Sequence, residues 1–473
     1  MGESVTPDRP RSPILELLRL AGPTVAQMAS YTVMQFIDIW MLSRVGDAAA
    51  TAASNAGMFA FAAISLGFGV LMLVNTLVSQ SFGQGRLDAC GRYLWQGVWF
   101  SLGYSVVLLP VIPLLGWAFA QFGHSPALLG MEMVYLRIVL AGSIFKLLST
   151  TLGQFLLAVN RPAMLILAAV LGVSANAFAA WVMMFGKFGV APMGVAGAAW
   201  GQNIGVTVEM LVLIYFVARP EMRRCFGLGQ WRLRAHELWT LLRLGVPSGV
   251  QTVSDVLAWS LFTALIMGAF GANAMAANTY TFRYMFVSFM PAFGLSAAVT
   301  ALVGRYIGRG EPDVAAHRAH LGFRVTGAYM LICGLVFFVA RYSLIGVFTD
   351  DPAVRSLGAT MLVFAAVYQV FDAMYITYLG ALRGAGDTFV PAVYTATLNW
   401  GFNVGGGLLL VRFRPEWGPA GVWTIATLYG IALGLFVYVR FRRGRWRSIR
   451  VDDGPTSNPP AKSDRVLPFV TGN

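Results

Sequence analysis

The sequence predicts an all-α integral membrane protein: twelve transmembrane helices in two six-helix lobes related by a pseudo-two-fold axis along the membrane normal. Three observations carry that prediction. The 473 residues are 57% hydrophobic and only 12% charged, against about 25% charged in soluble domains. Apolar runs long enough to cross about 30 Å of hydrocarbon recur along the chain. Short motifs recur at a constant spacing, which marks an internal duplication.

The predicted spans are 14–43, 50–80, 93–121, 131–158, 163–185, 194–217, 238–270, 275–305, 321–349, 355–381, 389–411 and 418–440. The first run lacks a small-residue cleavage pattern and is expected to stay as a helix. In the sixth span Gly197, Gly201 and Gly205 form a small-xxx-small stripe, which predicts tight helix contact. Pro291 and Pro391 are placed to kink the eighth and eleventh spans. The longest charged interruption, 219–237, reads as a cytoplasmic linker between an N-terminal lobe (14–218) and a C-terminal lobe (238–440). Residues 1–13 are expected to be a short cytoplasmic N-terminal segment. The basic, Pro-containing stretch 441–473 is expected to be a disordered cytoplasmic tail.

The halves repeat. Leu17-Leu18-Arg19-Leu20 with Pro23 returns as Leu241-Leu242-Arg243-Leu244 with Pro247, Gly83-Gln84-Gly85 as Gly308-Arg309-Gly310, and Gly194-Val195-Ala196-Gly197 as Gly418-Pro419-Ala420-Gly421, offset by 224–225 residues. An even number of spans per unit inserts both halves in the same sense, with a cavity between them.

The net charge of +13 reads as membrane topology and not as nucleic-acid binding. Arginines crowd alternate loops: Arg86 and Arg92, Arg161, Arg223 to Arg234, Arg305 to Arg318, Arg383, and Arg440 to Arg450. The positive-inside rule makes that side cytoplasmic, with both termini inside. Cys90, Cys225 and Cys333 suggest neither a disulfide framework nor a metal site. The four histidines, His124, His236, His317 and His320, fall in predicted loops without metal-ligand spacing. No phosphate-binding loop and no nucleophile-and-base set is visible, which argues for a secondary transporter and against an enzyme.

Three acids interrupt the spans: Asp38, Asp255 and Asp372. Each costs roughly 2.5–3.5 kcal/mol at mid-bilayer depth, so the three together cost on the order of 8–10 kcal/mol if uncompensated. A buried carboxylate can carry a proton, ligate Na⁺ or pair with an organic cation. Competition for one charge couples an ion to a substrate. A proton moving through 100 mV gains about 2.3 kcal/mol, enough for roughly a forty-fold gradient of a neutral substrate. The aspartates do not follow the repeat, since subtracting 224 from 255 and 372 lands on Tyr31 and Leu148. Each acid also has a structural reading: Asp38 beside Arg44, Asp255 neutralised by Arg283, Asp372 as an interhelical hydrogen bond. Lys146, Glu209 and Arg283 are either functional charges or halves of ion pairs. Gln35, three residues before Asp38, and Tyr368, one turn before Asp372, can share faces with the acids.

Several stretches are distinctive when taken together and in order: Gln35-Phe36-Ile37-Asp38, Leu77 through Gly85, Phe289 through Gly294, Leu302 through Gly308, and Tyr368 through Asp372 followed by Leu382 through Asp387. Through them the chain resembles the multidrug and toxic compound extrusion (MATE) family over nearly all of 14–440. The pattern is most similar to the bacterial NorM-type branch. That resemblance implies two lobes in a V around a cleft. It implies a monomeric, multi-pass protein of the bacterial cytoplasmic membrane, with no cofactor beyond a coupling ion, H⁺ or Na⁺. The implied activity is antiport that exports small organic, often cationic compounds. It makes Asp38, Asp255 and Asp372 the coupling residues, with Na⁺ a candidate ligand of Asp255, Asp372 and Tyr368. Gln35, Asn176, Tyr368, Arg283 and Glu209 are expected to line the cavity. Asn176 matches one of two polar positions on the fifth span; the second falls at Ala180, which removes an oxygen and favours H⁺. A flippase for lipid-linked or amphipathic lipid substrates is the alternative, and would call for a basic cavity.

Overall fold

The computed structural model describes residues 12–121, 124–449 and 451. Among them the chain forms α1 (Pro13–Val45), α2 (Asp47–Gly83), α3 (Leu87–Leu108), α4 (Val111–Ala120), α5 (Pro126–Ala141), α6 (Ser143–Ala158), α7 (Ala163–Phe185), α8 (Val195–Val217) and the short α9 (Pro220–Cys225). The second half contains α10 (Ala235–Leu261), α11 (Ala272–Gly308), α12 (Pro312–Val339), the short α13 (Arg341–Gly346), α14 (Pro352–Ala385), α15 (Phe389–Thr397), α16 (Gly405–Phe413) and α17 (Gly418–Arg442). No strand occurs among the described residues.

Nine of the described helices are long and apolar enough to cross a bilayer, and α5 with α6 makes a tenth span bent by 43°. Two further runs complete the predicted twelve. The 33 residues of α1 extend about 50 Å at 1.5 Å per residue, but Glu16, Arg19, Asp38 and Arg44 lower its apolarity. Residues 389–413 are continuously helical, with a π-helical segment at Leu398–Val404 between α15 and α16. The bend at Gly142 was not legible in the sequence. There Asn203 of α8 donates to the Ile138 carbonyl (2.6 Å), and its side chain occupies the space a Cβ on Gly142 would need.

The glycine stripe of α8 makes the contact its spacing predicts. Gly197 meets the backbone of Met183 and Met184, Gly201 meets Ala180, and Gly205 meets Asn176 on α7. Proline placement is partly corrected. Pro291 lies inside α11, whereas Pro391 lies in the first turn of α15, where a missing N–H costs no helix bond. Three histidines move from predicted loops into helices: His236 into α10, His317 and His320 into α12. Cys90, which precedes the predicted third span (93–121), is buried in α3.

The lobes meet in the half of the molecule that carries the basic loops. Thr24 donates to the Gly294 carbonyl (2.8 Å), Asn75 to Ala297 (3.2 Å), Thr76 to Arg383 (2.9 Å) and Gln80 to Gly384 (2.8 Å). Nearer the ends, Glu16 pairs with Arg318 at 2.8 Å. Toward the opposite face the same helices expose Phe36, Trp40, Phe286 and Val287. The hydrogen bonds and the ion pair named here that join the lobes thus lie toward the end that carries the basic loops.

The linker is ordered where described. Trp95 and Trp99 of α3 donate to the Leu228 and Trp231 carbonyls, each at 3.0 Å. The tail expectation is corrected for 441–449: Trp446 is 1% exposed, stacks on Phe441 at 4.9 Å and donates to its carbonyl. The rest of the predicted tail, 450 and 452–473, and residues 1–11 of the N-terminal segment lie outside the described residues.

Candidate functional site

Four segments of the second lobe converge on two of the predicted acids. On α10, Gln251, Ser254, Asp255 and Trp259 fall at helical spacing and share a face. On α14, Tyr368, Asp372 and Tyr375 do the same. The π-helical segment supplies Asn399, Trp400 and Asn403, and π-segments recur at functional sites because they re-aim side chains. Tyr429 comes from α17.

The hydrogen bonds run in one direction. Asn403 donates to Asn399 Oδ1 (3.1 Å), and Asn399 Nδ2 donates to Asp255 Oδ1 (3.0 Å). Gln251 donates to the Tyr375 hydroxyl (2.7 Å) and to Thr395 (3.3 Å), and Trp400 donates to Ser254 (2.7 Å). Asp372 is only 7% exposed and lies within electrostatic reach of Asp255, Tyr368 and Tyr429. Its carboxylate accepts no hydrogen bond from the described residues. Tyr368 is wedged edge-on against Trp259 at 6.3 Å and against α17 at Gly430, where a Cβ would strike its ring. The site therefore holds two carboxylates, of which Asp255 accepts from the Asn399 amide and lies beside the Tyr375 hydroxyl. Such a pair can take up a proton or another cation with little change in shape.

Arg283 does not neutralise Asp255, as one sequence reading had it. It is exposed on α11 and makes no ion pair among the described residues. Gln35 is likewise exposed on α1.

Asp38 sits apart from the other two, in the first lobe. Asn176 approaches its Oδ2 at 3.5 Å, while Asp38 Oδ1 and Asn176 Oδ1 are both buried without a partner. Tyr135 lies within electrostatic reach and donates its own hydroxyl proton to Gln202 (3.1 Å). Ala180 is fully buried, and its Cβ lies where a Cβ on Gly201 would fall. A larger polar residue at 180 would force α7 and α8 apart. Arg44 turns to the ring of Trp40 at 5.2 Å, so it does not hold Asp38.

Glu209 is an interior residue, at 2% exposure. Gln27 donates to its Oε1 at 3.2 Å and the Tyr31 hydroxyl donates to the same oxygen. Lys146 lies over the Tyr31 ring, 4.3 Å from its centre. Gln27 and Tyr31 are the repeat partners of Gln251 and Asp255, 224 residues on. The two lobes thus use matching positions for different polar clusters. A further buried acid escaped the sequence reading: Glu132, at 0% exposure, contacts His124 and Asn55, each at 2.9 Å. Asn399, Gln251 and Tyr375 were missed as well. Polar side chains inside predicted spans were the available signal for all four.

The family comparison agrees with the duplicated frame. The MatE family model matches residues 23–182 and again 251–409. The chain is 30% identical over 447 residues to a probable multidrug resistance protein NorM of Mesorhizobium japonicum, covering 92% of this chain and 94% of that one. It is 27% identical over 462 residues to the multidrug resistance protein PmpM of Pseudomonas aeruginosa, covering 93% and 94%. Among solved structures, the outward-facing conformation of a multidrug resistance MATE family transporter superposes with a TM-score of 0.84 at 18% identity, over 92% of this chain and 97% of that one. The eukaryotic MATE transporter AtDTX14 gives 0.82 at 19% identity, over 92% and 96%. Two matches to one family model, relatives aligned along most of their length and a shared twelve-span fold lead to one conclusion: the chain belongs to the MatE family of membrane transporters.

Proposed function

We propose that this transporter is a cation-coupled antiporter. It exports amphipathic, cationic organic compounds across the cytoplasmic membrane of a bacterium, with both termini inside, and works as a monomer. The observation that carries this reading is the buried Asp255–Asp372 pair, in which Asn399 donates to Asp255 while Asp372 accepts no hydrogen bond among the described residues. Removing such charges from water costs several kcal/mol each unless a counter-charge arrives. A proton, Na⁺ or an organic cation supplies that charge, and exclusive occupancy couples one to another. In the cleft-open state the external ion enters at Asp255 and Asp372, with Tyr368 as a further oxygen for Na⁺, and Asp38 adds a second coupling position. Ala180 leaves the first lobe short of oxygens, which favours H⁺. The names of the relatives support drugs as cargo.

The test is dye efflux from proteoliposomes driven by a proton gradient or a Na⁺ gradient alone, for the wild type and Asp372→Asn. Efflux driven by one ion and lost in the variant supports the antiporter and names the ion. Exposed Arg283 favours a second reading, a flippase for anionic amphiphiles. Folded protein that moves no cationic dye under either gradient, yet scrambles a labelled lipid, would replace the first reading with the second.

A further inference from the structure

On the basic face, α3 and α8 both pack on α6, and the inter-lobe linker closes the top of the space between them. The result is a groove of about 530 Å³, within the roughly 300–1,000 Å³ of small-molecule sites. Val98 of α3, Leu152 of α6 and Ile214 of α8 form its apolar walls, and Leu228 and Trp231 of the linker form its roof. One end differs from the rest. Arg223 lines the groove there, exposed, and its guanidinium makes no ion pair or hydrogen bond among the described residues. Trp231 is 62% exposed beside it, at the level where tryptophans collect between hydrocarbon and headgroups.

An apolar trough with a cation at its interfacial end matches one chemistry, an acyl chain joined to an anionic headgroup. Basic pockets between spans bind such headgroups. We infer that this groove is a binding site for an anionic phospholipid, one acyl chain lying between α3 and α8 and the phosphate on Arg223. The inference rests on membership of a membrane-transporter family and not on the identity of the cargo or the ion. Its consequence is mechanical. The linker connects the lobes and is stitched to α3 through Trp95 and Trp99. A lipid in the groove braces the linker from the α8 side as well, so the anionic lipid stiffens the connection across which the lobes rock.

The experiment is native mass spectrometry of the full-length protein in detergent, offered equal amounts of phosphatidylglycerol and phosphatidylcholine. Wild type is expected to retain phosphatidylglycerol in preference. Arg223→Gln is expected to cut that preference by about fivefold, the effect of one basic side chain near an anionic headgroup. Leu152→Trp fills the trough from its floor and is expected to abolish retention, while Arg309→Gln, on the same face of the other lobe, leaves it intact. Thermal unfolding of each variant establishes that it is folded; Arg223 is exposed, so its variant keeps the test valid if Leu152→Trp misfolds. Equal retention of the two lipids by wild type, or undiminished preference in a folded Arg223→Gln or Leu152→Trp variant, overturns the site.

Discussion

Adding one methyl group at Gly83 should open the seam between the lobes. An ideal Cβ there would lie 2.0 Å from the carbonyl oxygen of Arg305, and the reciprocal Cβ on Gly308 would lie 2.1 Å from the carbonyl oxygen of Gln80. Both obstacles are backbone, so no side-chain rotation relieves them. Ordinary contact begins near 3.4 Å, so Gly83→Ala must separate α2 from α11 by more than about 1 Å. Three hydrogen bonds join α2 to the second lobe beside this contact at 2.8–3.2 Å: Gln80 and Thr76 donate to α14, which packs on α11, and Asn75 donates to α11 itself. A separation of that size takes them beyond hydrogen-bonding range. At about 0.6 kcal/mol each inside a bilayer, the three are worth about 1.8 kcal/mol, roughly a twentyfold shift away from the conformer described here. The assay is electron–electron double resonance between spin labels at Gln84→Cys and Glu311→Cys, with the native cysteines replaced by alanine. Gly83→Ala should populate a longer distance. Gly103→Ala, where a Cβ meets nothing within 4 Å, should not. Identical distance distributions in all three proteins would refute the claim that close backbone approach holds this face shut.

Four other perturbations test the remaining clusters. Asn399→Leu leaves the Asp255 carboxylate without its amide donor, which should cost about 1–3 kcal/mol in thermal unfolding and abolish ion-driven efflux; retained coupling would remove Asn399 from the site. Tyr31→Phe should cost about 1–3 kcal/mol by stripping a donor from buried Glu209, and Glu209→Gln should cost less; equal, negligible effects would show that the cluster does not brace the first lobe. Asp387→Asn breaks a two-bond pair with Arg440, both bonds at 2.8 Å, and should destabilise by about 3–5 kcal/mol, read as a fall in melting temperature that Arg440→Lys shares only in part. Burial pushes the Cys225 thiol up, opposed by the Arg161 guanidinium. Its reactive thiolate is therefore scarcer than a free thiol's near neutral pH, and maleimide labelling should be slow at pH 7 and accelerate as the pH is raised. Labelling at pH 7 as fast as that of glutathione would contradict this.

The difference between what was and was not legible follows particular residues. Span limits 163–185 and 194–217 match α7 and α8 closely, because the apolar run and its Gly or Pro boundaries lie within one stretch of chain. Asp38, Asp255 and Asp372 were visible because a charge in an apolar run stands out. The Asn399–Asp255 contact was not visible: its partners are 144 residues apart and depend on the π-helical segment that turns Asn399 inward. The surroundings of Glu209 were hidden for the same reason. Nothing local says that Gln27 and Tyr31, 182 and 178 residues away, cover it.

The sequence by itself determined a duplicated, twelve-span membrane frame, the face that carries the positive charge, and three acids within the bilayer. These depend on how long each run is and what it is made of, and both can be read residue by residue. Tertiary structure alone decided that Asp255 and Asp372 share a site while Asp38 stands apart with Asn176, that Arg283 neutralises neither, and that the lobes close at the basic end. Those outcomes depend on how each helix is rotated about its axis and how near its neighbours come. Packing at Gly201, Gly205, Gly304 and Gly430 sets both, by letting one helix approach another where any larger side chain would hold them apart.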